Sequence, residues 1–337
     1  MSQPAPADWI KVTPVGLHVV PADLHVDPVR PVARAAITHG HGDHARPGHD
    51  AVLATAETLA IMKARFADDS GRQPQAARYG EPIRLGEVEV TFMPAGHVLG
   101  SAQILFEYRG SRVVVSGDYK RRRDPTCPPF EPVACDVFIT EATFGLPVFR
   151  HPDDRDEIAK LLAARDREPE RAILVGAYAL GKCQRVIALL REAGHDAPIY
   201  LHGAQEALCR LYESFGVALG PLRSATEATK AELAGAIVLA PPGATADRWM
   251  RRLPDPVTAV ASGWMRIRQR AKQRGVELPL VISDHADWDE LLQTVEDVNA
   301  PEVWVTHGRE EALIHAVTLT GRRARALALV GFDEEGQ

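Results

Sequence analysis

A chain of 337 residues suits one large domain or two moderate ones rather than a single small core. With 45% hydrophobic and 25% charged residues it has the composition of a folded globular protein, which argues against disorder. The formal net charge of −6 excludes a global attraction for polyanions, so a nucleic-acid contact would need a local cationic patch.

In chain order, short β-rich runs come first: 33–38, 87–92, 102–108, 112–117 and 136–140 read as strands, with tight turns such as "YRGSR" pointing to antiparallel hairpins. Between the first two, Leu59, Met62 and Phe66 fall three and four apart and predict the inner face of a helix over 55–66. After "TEATFGLP" the texture changes. Strands 171–176, 198–202, 236–240 and 257–262 alternate with helices 182–193, 204–214 and 244–251, the rhythm of a parallel sheet covered by helices. Strand 278–283, helix 287–297, strand 302–307, helix 309–318 and a last strand near 325–330 follow. The simplest organisation is a discontinuous α/β domain, 1–146 and 275–337, interrupted by a smaller α/β domain over 147–274. No apolar run approaches a membrane span, and "MSQPAPADWIKVTP" has neither a charge cluster nor an apolar stretch of the signal-peptide kind. A cytoplasmic protein with no membrane partner is the expectation. Cys127, Cys135, Cys183 and Cys209 lack CxxC spacing and read as reduced core thiols.

The chemistry is concentrated in "ITHGHGDHARPGH". Neutral imidazole and carboxylate are ligands for zinc or manganese. His39 and His41 lie two apart and converge from one extended segment, while Asp43 and His44 fall on the next turn. Gly40 and Gly42 are expected to relieve clashes where the backbone bends. So short a loop does not offer all four groups to one ion, which suggests two adjacent ions; a histidine-rich surface loop is the alternative. Further ligand types stand beside glycines at strand ends: His97 in "PAGHVLGSAQ", Asp118 in "VVVSGDYK" and His307 in "EVWVTHG".

This set, His39-x-His41-x-Asp43-His44 with His97, Asp118 and His307, resembles the metallo-β-lactamase fold, an αββα sandwich. The resemblance implies two divalent ions, Zn2+ or Mn2+. One would be held by His39, His41, His97 and Asp118, the other by Asp43, His44, Asp118 and His307, with Asp27 of "LHVDP" supporting the loop without binding metal. "ITEATFG" with Glu141, "SDHAD" with His285 and "VTHG" with His307 are similar in order to the three motifs of the β-CASP nucleases, whose cap domain would correspond to the shortened insert over 147–274. The segments "SGDYKRR", "GAYALGKCQR" and "ASGWM" resemble a bacterial group of ligase-associated DNA damage response exonucleases. That resemblance implies a DNA exonuclease of DNA repair, with a 5′-end preference suggested by Artemis-like relatives and an ATP-dependent DNA ligase and a helicase as partners. An RNA-processing nuclease, a thioester or small-ester hydrolase and a scaffold with a dead site remain alternatives. In the mechanism so implied, Asp118 bridges the ions, His285 is the general acid for the leaving oxygen, and Glu141 fixes its tautomer.

Two cationic stretches are candidates for nucleic-acid contacts. Lys120, Arg121, Arg122 and Arg123 follow Asp118 after one residue, where they would grip phosphate oxygens, or else form a solvated turn. Arg248, Arg251, Arg252, Arg266, Arg268, Arg270, Lys272 and Arg274 crowd a second stretch around Trp249 and Trp264, whose rings would stack on bases or pack in the core. "GAYALGKC" nearly spells a P-loop, but Cys183 replaces the hydroxyl that would bind Mg2+. An ATPase is therefore not expected, and Lys182 is retained only as a candidate contact to a backbone phosphate.

Overall fold

The computed structural model describes residues 3–329, and these form two compact units. One takes the chain up to Arg150 and again from His285; the other is His151–Asp284. The return therefore comes at His285, ten residues later than position 275. The reason is the strand Leu278–Leu280, which pairs in parallel with Val257–Ala261 and so belongs to the second unit.

The first unit contains two mixed sheets. Six strands in sequence order, Ile10–Thr13, Gly16–Val19, Leu24–Val26, Arg34–Ala36, Ala51–Thr55 and Gln73–Ala77, form one. The other runs Arg323–Ala326, Glu302–Gly308, Val137–Ala142, Ser111–Val115, Ala102–Tyr108, Val88–Pro94, Pro82–Leu85. Position 330, included in the predicted last strand, lies outside the described residues. Side-chain alternation sets the layers. Val113 and Val115 join Val88, Val90, Phe92, Ile104 and Phe106 against Leu17, Val19, Leu24 and Val26 of the first sheet, a core shared by both sheets. Val114 points the other way, into a cluster with Leu291 and Val295 of helix Trp288–Val298 and with Leu313 and Val317 of helix Glu310–Leu319. On the outer face of the first sheet, Ala35, Ile37, Val52 and Ala54 meet Met62 of helix Ala56–Phe66, with Leu59 and Phe66 partly buried beside it. The "YRGSR" turn is a two-residue hairpin: Tyr108 faces Ser111, and Arg109 and Gly110 both have positive φ (48° and 83°), as a right-twisted hairpin requires.

The second unit is built on a fully parallel sheet in the order Leu222–Ser224, Ile199–Leu201, Ile237–Ala240, Ile173–Gly176, Val257–Ala261, Leu278–Leu280. Its central strands are buried at every position, the continuous apolar reading of strands covered on both faces. The helix predicted over 244–251 is instead two 3₁₀ turns, Pro242–Ala246 and Arg248–Arg252, because Pro241, Pro242 and Gly243 stand where an α-helix would have to start. No helix among the described residues is long and apolar enough to cross a membrane.

Candidate metal centre

In the seven-stranded sheet Ser111–Val115, Val137–Ala142 and Glu302–Gly308 run parallel, so their carboxyl ends lie on one edge. That edge carries Asp118, Glu141 and His307. The turn after Arg34–Ala36 brings His39, His41, Asp43 and His44, and the loop after Val88–Pro94 brings His97. Ligand atoms of His39, His41, His97 and Asp118, all buried side chains, lie within 4.8 Å of one another. Asp118 Oδ2 sits 3.4 Å from Nε2 of both His39 and His44 and 3.8 Å from Nε2 of His97, and Nε2 of His97 is 2.9 Å from Nδ1 of His41. His44 Nε2 is 3.7 Å from Asp43 Oδ2, and the His44 and His307 ring centroids are 5.3 Å apart.

Asp27 has both carboxylate oxygens engaged. Oδ1 accepts from the Thr38 amide at 2.8 Å, and Oδ2 accepts from Thr38 Oγ1 at 2.6 Å and pairs with His44 Nδ1 at 2.8 Å. Its left-handed backbone (φ 43°) is held in place by these contacts. Because Nδ1 of His44 faces Asp27, Nε2 faces Asp118 and the centre. The reason for Gly40 and Gly42 differs from the expected sharp bend. Neither has positive φ; a Cβ on Gly40 would lie 2.6 Å from Ile61 and one on Gly42 2.7 Å from an Arg65 nitrogen, so the loop is flattened onto helix Ala56–Phe66. Arg65 also donates to the Gly40 carbonyl at 2.5 Å.

Burial, reinforced by the neighbouring His44, holds the His39 imidazole neutral, well below its ordinary range. Burial and His44 likewise push His307 down to about 3. Burial opposes charge on His44 as well, but Asp118, Asp43 and Asp27 together lift it well above the ordinary range. Asp118 is held well below the usual carboxylate range despite its burial, chiefly by His44 and His285. His39 Nε2 is buried and makes no hydrogen bond among the described residues. A neutral imidazole with an unused lone pair, facing two more imidazoles and a carboxylate, is the donor set a divalent cation needs. The residues fit such an ion.

Next to this cluster, His285 Nδ1 pairs with Glu141 Oε1 and Oε2 at 3.1 and 3.0 Å, and Glu141 Oε1 also accepts from the Tyr119 amide at 2.9 Å. The His285 ring lies 4.7 Å from that of His97, centroid to centroid. Asp118, Glu141 and His285 form a second buried group of ligand-type side chains.

The expected phosphate contacts turn out differently. Lys120 is 1% exposed; its Nζ donates to the His285 carbonyl at 3.1 Å and lies 3.4 Å from Glu290 Oε2. Arg121 is paired with Asp297 at 2.6 Å, and Arg122 with Asp287 at 2.7 Å. These cations are satisfied inside their own unit, because the acidic helix that follows His285 packs against them. Lys182 is buried too, ion-paired with Asp284. The helix start around it is closed: the Gly181 amide donates to Gln184 Oε1 at 2.8 Å and the Cys183 amide to the Tyr178 carbonyl at 3.0 Å. "GAYALGKC" is an internally satisfied turn and presents no phosphate cradle. Arg266, in contrast, is exposed, together with Arg248, Arg251, Arg252, Arg268, Lys272 and Arg274. The Trp264 face is covered by Arg270, 4.2 Å from the ring centroid, and Trp249 packs on His202. Sequence reasoning passed over Arg65 and Thr38, and no local signal marks either one.

No family model matches the chain. It is 33% identical over 326 residues to a probable DNA ligase of Opitutus terrae, covering 95% of this chain and 31% of that protein. It is 27% identical to a ribonuclease of Thermus thermophilus, across 93% of this chain and 89% of that one. It is 29% identical over 150 residues to the cleavage and polyadenylation specificity factor subunit 3 of Dictyostelium discoideum, 42% of this chain and 19% of that one. The chain thus spans about a third and a fifth of the length of two of these relatives. A protein of unknown function from Enterococcus faecalis shares the fold, with a TM-score of 0.60 at 16% identity over 88% of this chain and 80% of that one.

Proposed function

We propose that this chain is a metal-dependent phosphodiesterase of the β-CASP nuclease family, built on a metallo-β-lactamase-type αββα sandwich with a shortened cap, and that its substrate is DNA, shortened from an end. One observation carries the reading: buried imidazoles and a shared carboxylate, Asp118, stand beside a second histidine held by its own carboxylate, His285 on Glu141. A relative named as a ribonuclease matches along 93% of the chain. The choice of DNA is supported by the relative named as a DNA ligase, which matches 95% of this chain and is much longer than it. That name supports a setting beside a DNA ligase, to which the sequence resemblance adds DNA repair and a helicase, and the exposed arginines from Arg248 to Arg274 offer charge for a phosphate backbone.

His39, His41, His97 and Asp118 would hold one ion, and Asp43, His44, Asp118 and His307 a second, whether Zn2+ or Mn2+. Such a pair, when bound, acidifies water and neutralises the charge of a phosphodiester. Asp118 is suited to sharing because its carboxylate is within 3.8 Å of three imidazoles. His285 supplies what metal chemistry lacks, a proton for the departing alkoxide. With Nδ1 on Glu141, its Nε2 is the atom that delivers the proton, and Glu141 stabilises the charged ring before it does so. The bond between phosphorus and the leaving oxygen breaks as a water oxygen joins phosphorus.

Linear strands labelled at the 5′ or 3′ end, a closed circle and matched RNA, each supplied with Mn2+ or Zn2+, test the proposal. Linear DNA should shorten from one end, by the DNA-repair reading the 5′ end, while the circle persists. Faster loss of RNA would move the substrate to the ribonuclease reading, which the Thermus thermophilus relative favours.

A further inference from the structure

In the basic run after Asp118, the side chains of Lys120, Arg121 and Arg122 all contact the segment that begins with His285. Besides the Lys120 contacts with the His285 carbonyl and Glu290, Arg121 donates to Thr294 Oγ1 at 3.1 Å, and the Arg122 amide donates to Glu290 Oε1 at 2.9 Å. The Ala286 amide returns the contact, donating to the Tyr119 carbonyl at 2.7 Å. The loop that carries Asp118 and the peptide that carries His285 are therefore bolted together.

We propose that Lys120 is a positioning residue for His285, with its ammonium fixing the peptide while Glu141 fixes the ring. An ammonium has three donors and no acceptor, so one can hold the carbonyl while another faces Glu290. A methionine of similar length keeps the packing and loses every donor. The His285 carbonyl would then be left without this donor in a buried place, and the peptide would drift to find another. Proton delivery is steep in distance: a displacement of about 1 Å costs on the order of 10²-fold in rate. Lys120 is two residues from Asp118, so a single strand end sets both the shared carboxylate and the proton donor. The kinetic part of this inference rests on the phosphodiesterase reading; the geometric part does not.

The test compares Lys120→Met with the wild type on two diesters, DNA and thymidine 5′-(p-nitrophenyl phosphate). Nitrophenolate departs without a proton, so a defect confined to proton delivery should spare the second substrate. Lys120→Met should lower kcat on DNA by on the order of 10²-fold at unchanged KM and metal content, and leave nitrophenyl release near wild type. A crystal structure of the variant should show His285 displaced from Glu141. Since the substitution leaves Glu290 with Arg122 as its remaining cationic partner, the pair Lys120→Met with Glu290→Gln lowers the local negative charge and should behave the same way. Equal losses on both substrates, or His285 still seated on Glu141 in the variant, would overturn the inference. If the wild type cleaves neither diester, the phosphodiesterase reading fails, and the position of His285 in the variant alone decides the matter.

Discussion

In the mixed-sheet unit, buried ionisable groups gather at one sheet edge, imidazole against imidazole around Asp118. In the parallel-sheet unit they are spread out and closed off in opposite-charge pairs: Arg185 with Asp154 at 2.6 Å, Lys182 with Asp284. Glu157 there accepts from the Val281 amide at 2.9 Å as well as pairing with Lys160. An opposite-charge pair neutralises itself and has no need of a further charge. Crowded imidazoles do not: burial forces His39 neutral and leaves its lone pair for something from outside. How a buried charge is compensated separates a side chain that holds the fold from one that waits for a cation.

Substitutions on the two sides of this contrast should fail in different ways. Asp118→Ala removes the carboxylate shared by three imidazoles, and should nearly abolish cleavage and lower bound metal measured by elemental analysis. Retention of both would break the contrast. His285→Ala should keep its metal while turnover falls by on the order of 10²–10⁴-fold, the usual loss of a general acid. In the parallel-sheet unit, Arg185→Met leaves Asp154 buried and unpaired, which should cost about 3–5 kcal/mol in denaturant unfolding while metal content stays at the wild-type level. Smallest is the effect of Arg65→Met, which frees the Gly40 carbonyl. It should weaken metal affinity by roughly 10–100-fold in competition with a chelator, as outer supports of metal ligands do.

How far the sequence could be read follows the same division. Ligands crowded within a few residues, as from His39 to His44, declare themselves, and so does strand alternation in "RVVVSG", where Val113 and Val115 face one core and Val114 the other. Polar edge strands escaped notice, because "QPQAA" at Gln73–Ala77 has four exposed positions and no apolar face to alternate. The helix Asp154–Arg167 escaped too, its stripe of Ile158, Leu161 and Ala164 hidden among charged neighbours. Lys120, Arg121 and Arg122 misled for a different reason. Their partners lie more than 160 residues further along the chain, so the run looked like solvent-facing charge.

The discontinuity of the mixed-sheet unit has a bearing on the life of the nascent chain. Synthesis proceeds from the amino terminus, and domains tend to fold as they emerge. Here the histidines and Asp118 appear early, whereas His285 and His307 emerge only after all of His151–Asp284 has been translated. A ribosome-bound fragment would hold part of the histidine cluster without His285 or His307. The order of segments along the chain thus delays assembly of the full cluster until the whole parallel-sheet unit has been made.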